Sequence, residues 1–214
     1  MNLNRKIIVH FSFIIFSISF FSFIKAQDTS KIRYVALPGS KLWLEGSSNI
    51  DDFTCSTHQV NGYAEIVNDK NLDPSLLKKD KAFVTVLVHT LDCGKDLMND
   101  DMFDAMKADK FPDIKYELIS AHLLTQPDSA NWYSLETQGN LNIAGEKNIV
   151  DIKFKVEKLA NGNFRIIGGI PISMLDYGII PPTHFFGLIR ANKNLIVHFD
   201  IFAGRQENIV KNSK

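Results

Sequence analysis

The chain has 214 residues, room for one domain of ordinary size or two small ones, with 24 Lys and Arg balanced by 24 Asp and Glu. Three of the bases, Arg5, Lys6 and Lys25, lie in the first 26 residues, which hold no acid, so the remainder is mildly acidic. That balance, with no basic run and no aromatics interleaved with Arg, argues against a nucleic-acid partner, because such binding rests on Lys and Arg neutralising phosphates.

The N-terminal stretch reads as a leader. Arg5-Lys6 is a charged start, and Ile7 to Ile24 is apolar apart from His10, Ser12, Ser17, Ser19 and Ser22. A signal peptide over residues 1–26, cleaved after Ala26, is the expectation; the serines and the polar residues that follow disfavour the alternative, a transmembrane anchor. No cysteine lies near this junction, so a lipoprotein anchor is not expected. The protein is expected to be exported, to the periplasm or alternatively beyond the cell. Export decides how Cys55 and Cys93 are read: in an oxidising compartment two cysteines of one domain are most simply a disulfide, with two buried free thiols as the alternative.

From Lys41 onward the chain alternates in short runs. Lys41 to Glu45, Phe53 to Cys55 and Val60 to Val67 read as strands, followed by a polar loop from Asn68 to Lys81. Ala82 to Thr90 is the most β-prone run and is apolar on both faces. Between Asp92 and Pro112 the period changes to a helical one. Met98, Met102, Ala105 and Met106, with Phe103 beside them, share one side, while Asp96, Asn99, Asp100, Asp104, Lys107 and Asp109 share the other. So short a helix has little stability alone and must lie on something apolar. Ile114 to Leu124, Trp132 to Ile143 and Ile149 to Lys158 return to period two. Asn161-Gly162 marks a hairpin leading into Phe164 to Ile172, where Gly168-Gly169 permits a bend or a close approach. An apolar loop, Ile179 to Phe186, precedes the last strand, Asn194 to Phe202. Short strands at near-regular spacing with one helix predict an all-β fold, an antiparallel barrel of about eight strands or a sandwich, over residues 32–203, with a polar tail at 204–214. A barrel of that size can hold one small ligand.

Three stretches resemble the YceI-like family of exported bacterial proteins, whose barrel is lipocalin-like. The first is Val84 to Val88, then Asp100 to Ala105 and Phe111-Pro-Asp-Ile-Lys-Tyr116; the second is Gly139-Asn-Leu-Asn-Ile-Ala-Gly145; the third is Asp176-Tyr-Gly178. Pro38-Gly-Ser40 stands where the family typically has His-Ser, and Met174-Leu175 where an Arg is common, which points to a divergent branch. The resemblance implies a lipocalin-like antiparallel barrel with the helix, at about 96–110, covering it. It also implies non-covalent binding of a long apolar molecule inside, such as an isoprenoid quinone or another long-chain lipid, with no required cofactor.

The residues expected to line such a tunnel are Phe83, Leu87, Met102, Phe103, Met106, Phe111, Tyr116, Leu118, Phe154, Ile166, Tyr177 and Phe199. Taken singly, each reads as ordinary core; only the set, with the family, favours a cavity. Catalytic and metal sites are not expected. Asp100, Asp101 and Asp104 lack a calcium loop around them, His89, His122 and His198 lack a ligand spacing, and no G-x-S-x-G elbow is present. The competing expectation is a non-catalytic barrel with a filled core that binds a partner in the cell envelope. Transient membrane or envelope-protein contact, through Ile179 to Phe186, fits either reading.

Overall fold

A computed structural model describes residues 31–66, 81–125, 131–184 and 187–206. The leader, the polar loop after Ile66 and the end of the tail lie outside the described residues. Twelve strands are present there: β1 (Ile32–Ala36), β2 (Lys41–Ser47), β3 (Asp52–Thr57), β4 (Val60–Ile66), β5 (Lys81–Leu87), β6 (Asp113–Thr125), β7 (Trp132–Ile143), β8 (Glu146–Lys158), β9 (Phe164–Ser173), β10 (Thr183–His184), β11 (Ile189–Arg190) and β12 (Asn194–Arg205). One α-helix, α1 (Asp96–Ala105), lies between β5 and β6.

The strands β1-β4-β5-β6-β7-β8-β9-β12 form a closed antiparallel barrel of eight, sealed where β1 pairs with β12, Tyr34 opposite Arg205. Closure leaves no open edge between the first and last strands. β8 shows how alternation sets facing. On β8, Ile152, Phe154 and Val156 are inward and part-buried, while Asp151, Lys153 and Lys155 are exposed. The hairpin after β8 turns at Asn161-Gly162, with Gly162 at φ 81° and Leu159 N–H donating to the Asn163 carbonyl at 2.8 Å. Gly168 is a close approach: a Cβ there would lie 2.6 Å from the Phe199 ring and 2.7 Å from the Phe154 Cβ.

Two features shape one end of the barrel. At Leu37–Ser40 the first strand bends into the second, held by Ser40 Oγ, which donates to the Leu37 carbonyl at 2.8 Å and accepts from Phe202 N–H at 3.1 Å. Past the bend, β2 pairs with β12 and with β3. On its far side β3 makes only the bridge of Ser56 with Asp92 among the described residues, so the wall parts there. Helix α1 fills the gap.

The sequence reading needs four adjustments. β1 precedes the first strand it proposed, and β12 runs on past Phe202 to Arg205. β5 stops at Leu87, because Val88 N–H turns to the Pro112 carbonyl at 2.8 Å and Val88–Thr90 winds into a 3-10 turn. The helix ends at Ala105 rather than near residue 110, because Lys107 adopts the left-handed region at φ 53°.

Candidate functional site

Asp92 launches α1. Its Oδ1 accepts from Gly94 N–H at 2.8 Å and from Asn99 Nδ2 at 3.1 Å, and these donors hold its carboxyl below the usual carboxylate range. Asn99 Oδ1 in turn accepts from Cys93 N–H at 2.7 Å. Cys93 is disulfide-bonded to Cys55 on β3, so the start of the helix is covalently tied across the gap in the wall. Asp96 in the first turn favours the helix N-terminus electrostatically.

Held this way, the methionine side of α1 packs at the edge of a buried apolar cluster, with Met102 and Ala105 against it and Met106, just past the helix, within it. Met98, Met102, Ala105 and Met106 also roof a cavity of about 740 Å³. Its walls are apolar ends of strands: Leu44 from β2, Phe53 and Cys55 from β3, Ile114 from β6, Ile143 from β7, Ile172 from β9, and Leu195 and Val197 from β12. Met174, Ile179, Pro182, Ile189 and Ala191 complete it from the segments joining β9 to β12. Charged groups in the lining come from Asp51, Asp52, Lys95, Asp96 and Asp101, on the turn between β2 and β3 and on the start and middle of α1. The volume lies within the range usual for small-molecule sites. Methionine suits such a roof, because its unbranched chain adapts to an irregular surface at small cost.

Beneath the cavity the inward faces continue in layers. Tyr116 and Leu141, which are cross-strand partners, lie one step below Ile114 and Ile143; Phe199 lies one step below Val197. Tyr116 donates from its hydroxyl to Thr137 Oγ1 at 2.9 Å, and burial pushes its phenol above the ordinary tyrosine value, an effect the Thr137 bond partly offsets. Among the described residues no three His, Cys, Asp or Glu side chains come together as a metal site.

A YceI-like domain model matches residues 29–202. The chain belongs to the YceI-like family. No curated protein matches this YceI-like chain in sequence. Its fold is similar to that of BcnA from Burkholderia cenocepacia, with 17% identity, a TM-score of 0.62, and coverage of 79% of this chain and 99% of that one. It is likewise similar to a polyisoprenoid binding domain from Saccharophagus degradans, with 13% identity, a TM-score of 0.61, and coverage of 82% and 99%. A mutant YceI protein of Campylobacter jejuni matches at 14% identity and a TM-score of 0.53, over 71% of this chain and 84% of that one.

In this YceI-like barrel the twelve residues expected along a tunnel fall into four groups. Met102 and Met106 line the cavity. Tyr116, Leu118, Phe154, Ile166 and Phe199 are inward but lie deeper than its lining, with Phe154 and Phe199 rings 6.3 Å apart on either side of Gly168. Phe103, Phe111 and Tyr177 pack around the cavity end: Phe103 against His89, Phe111 over Gly145, and Tyr177 in the buried cluster with Met174 and Ile179. Phe83 and Leu87 are corrections. They pair with Glu117 and Asp113, and the inward partners are Val84 with Tyr116 and Val86 with Ile114, so both point outward. The run Ala82 to Val88 is apolar on both faces, and only pairing with β6 reveals which face is inside.

The sequence reading missed Leu44, Ile114, Ile143, Ile172, Leu195 and Val197. A signal existed for the last two: they lie four and two residues before Phe199, on the same face.

Proposed function

We infer that this protein holds a long apolar lipid, of the polyisoprenoid or quinone type, with part of its chain in the 740 Å³ cavity beneath α1. The observation that carries this reading is the cavity itself: an apolar chamber roofed by the methionine side of a helix. Ligand binding there needs no catalytic residue, since burial of each methylene contributes roughly 0.8 kcal/mol. The polyisoprenoid-binding description of the Saccharophagus degradans domain supports the same ligand class. A barrel with a filled core fits less well, because packed interiors leave few voids larger than a water molecule. Phe199 and Phe154 form the layers below the cavity and set how deep a chain reaches.

Export belongs to this proposal, through the leader at residues 1–26, which lies outside the described residues, and through the Cys55–Cys93 disulfide, which suits an oxidising compartment.

Native mass spectrometry of the protein purified from exporting cells, followed by organic extraction, is the test. A one-to-one adduct extracting as a long-chain lipid is expected. A clean apo mass that does not shift on adding isoprenoid quinones or fatty acids defeats the proposal. Phe199→Ala is expected to lengthen the preferred chain of the bound lipid.

A further inference from the structure

The four most exposed large apolar side chains among the described residues are Ile180, Leu97, Leu188 and Ile50, at 83%, 75%, 74% and 66%. All four lie at one end of the barrel. Ile50 and Leu97 line the cavity and are also open to solvent, so its apolar surface runs out to the exterior through them. Ile180 sits between the lining residues Ile179 and Pro182, and Leu188 precedes the lining residue Ile189. The turn that carries Ile50 is fastened to the segment that carries Leu188: Asn49 Nδ2 donates to the Leu188 carbonyl at 2.8 Å, and Arg190 N–H donates to Asn49 Oδ1 at 2.8 Å. Ala191 N–H donates to the Pro182 carbonyl at 3.1 Å, joining the Ile180 side. The exposed apolar tips therefore belong to a braced rim. Exposed aliphatic side chains scattered singly over a surface need no explanation, but a set gathered around one opening does.

We propose that this rim docks on a zwitterionic phospholipid bilayer, with the cavity mouth against the lipid. The proposal rests on the lipid-binding reading of the cavity and names the surface from which that lipid comes. Charge complementarity selects the kind of bilayer. The exposed charges of the rim are of both signs: the carboxylates of Asp51, Asp52 and Asp96, beside Lys95 and Arg190. Zwitterionic head groups offer an ammonium to the carboxylates and a phosphate to the cations, whereas an anionic surface repels the three carboxylates. Ile50, Leu97, Ile180 and Leu188 then reach the acyl boundary as interfacial apolar anchors. A lipid passing from bilayer to cavity stays in contact with Leu97 and Met98 throughout.

Flotation with phosphatidylcholine–phosphatidylethanolamine vesicles tests the docking, using the protein isolated from exporting cells. The protein is expected to float with these vesicles. The combined variant Ile50→Ser, Leu97→Ser, Ile180→Ser and Leu188→Ser is expected to cut the floating fraction at least tenfold at an unchanged melting temperature, since all four sites are exposed. Ile149→Ser with Ile196→Ser, on the outer wall, is expected to change nothing. Every variant carries the same N-terminus, so any contribution of residues 1–30 cancels in the comparison. A tryptophan at the rim, Leu188→Trp, is expected to be quenched by brominated zwitterionic lipid. Docking is overturned by any one of four results: no flotation of the parent, an equal loss in the wall variant, flotation that requires anionic lipid, or an unquenched tryptophan. The cavity reading is checked apart from vesicles, by a native mass shift on adding farnesol. A protein that takes up farnesol but does not float loses the docking surface and keeps the carrier role. One that floats but takes up no farnesol keeps the docking surface alone.

Discussion

At one end of the barrel Tyr34, Phe164 and Ala203 fill the interior, with the two rings edge to face at 5.1 Å. At the other, Ile143, Ile172, Met174 and Ile179 pack into a larger buried cluster, yet beside it Leu44, Ile114 and the methionine side of α1 enclose a cavity. The same strands run through both ends: β9 contributes Phe164 to the filled end and Ile172 to the open one, β12 contributes Ala203 and Val197. Strand pairing is therefore not what separates them. Both ends are held by side-chain packing, and the open end adds a disulfide, a hydrogen-bonded loop at the start of α1 and the hydrogen bonds of its rim. The open end keeps a chamber beside its own buried cluster, because the parted wall at β3 leaves space that packing does not fill.

Substitutions can break or sharpen that contrast. The largest effect is expected at the filled end, where Phe164→Ala should cost about 3–5 kcal/mol in urea unfolding, against about 1 kcal/mol for Met102→Ala, which already borders the cavity. Equal costs would mean that Met102 is as closely packed as Phe164. Next comes the covalent tie. Cys55→Ser with Cys93→Ser removes a link between residues 38 apart and is expected to cost roughly 2–4 kcal/mol. Hydrogen exchange should show the loss concentrated in α1, and an even loss over the whole barrel would contradict the assignment of the bridge to the open end. Gly168→Ala, at the waist, should cost about 1–3 kcal/mol by driving a methyl into Phe199 and Phe154, and Phe199→Leu in the same chain should recover part of it.

The smallest effect concerns pH. Burial raises the phenols of Tyr116 and Tyr177 above their ordinary value of 10.0, so folding favours the neutral ring. That stabilisation is complete below pH 10 and is lost as pH rises through the folded-state values. Urea midpoints between pH 8 and 11 should therefore fall more steeply in the parent than in Tyr116→Phe. An identical slope would place the alkaline sensitivity elsewhere.

Much of the barrel is legible in the sequence, because β7 and β8 alternate polar and apolar residues over most of their length and β6 does so up to its bulge after Leu118. The methionine side of α1 is legible for the same kind of reason, through its helical spacing. What is not legible depends on pairing. Ile32–Ala36 is short and gains its place by joining β4 and β12, and the facing of Phe83 and Leu87 is decided by β6. Nor does periodicity say where along an inward face the interior is empty. Tyr116, Phe154 and Phe199 are inward as their spacing implies, yet the chamber lies above them, because it is the parted wall at β3 and the placement of α1 that open it.

Pairing of β1 with β12 makes closure of the barrel wait for β12. Tyr34 cannot meet Arg205 until every strand between them has been synthesised, and those strands have no closed sheet to join before then. So distant a contact carries a large loop-closure cost and belongs to a slow-folding topology. A nascent chain of this design stays an open sheet until β12 has been made, so closure is a late event in its assembly.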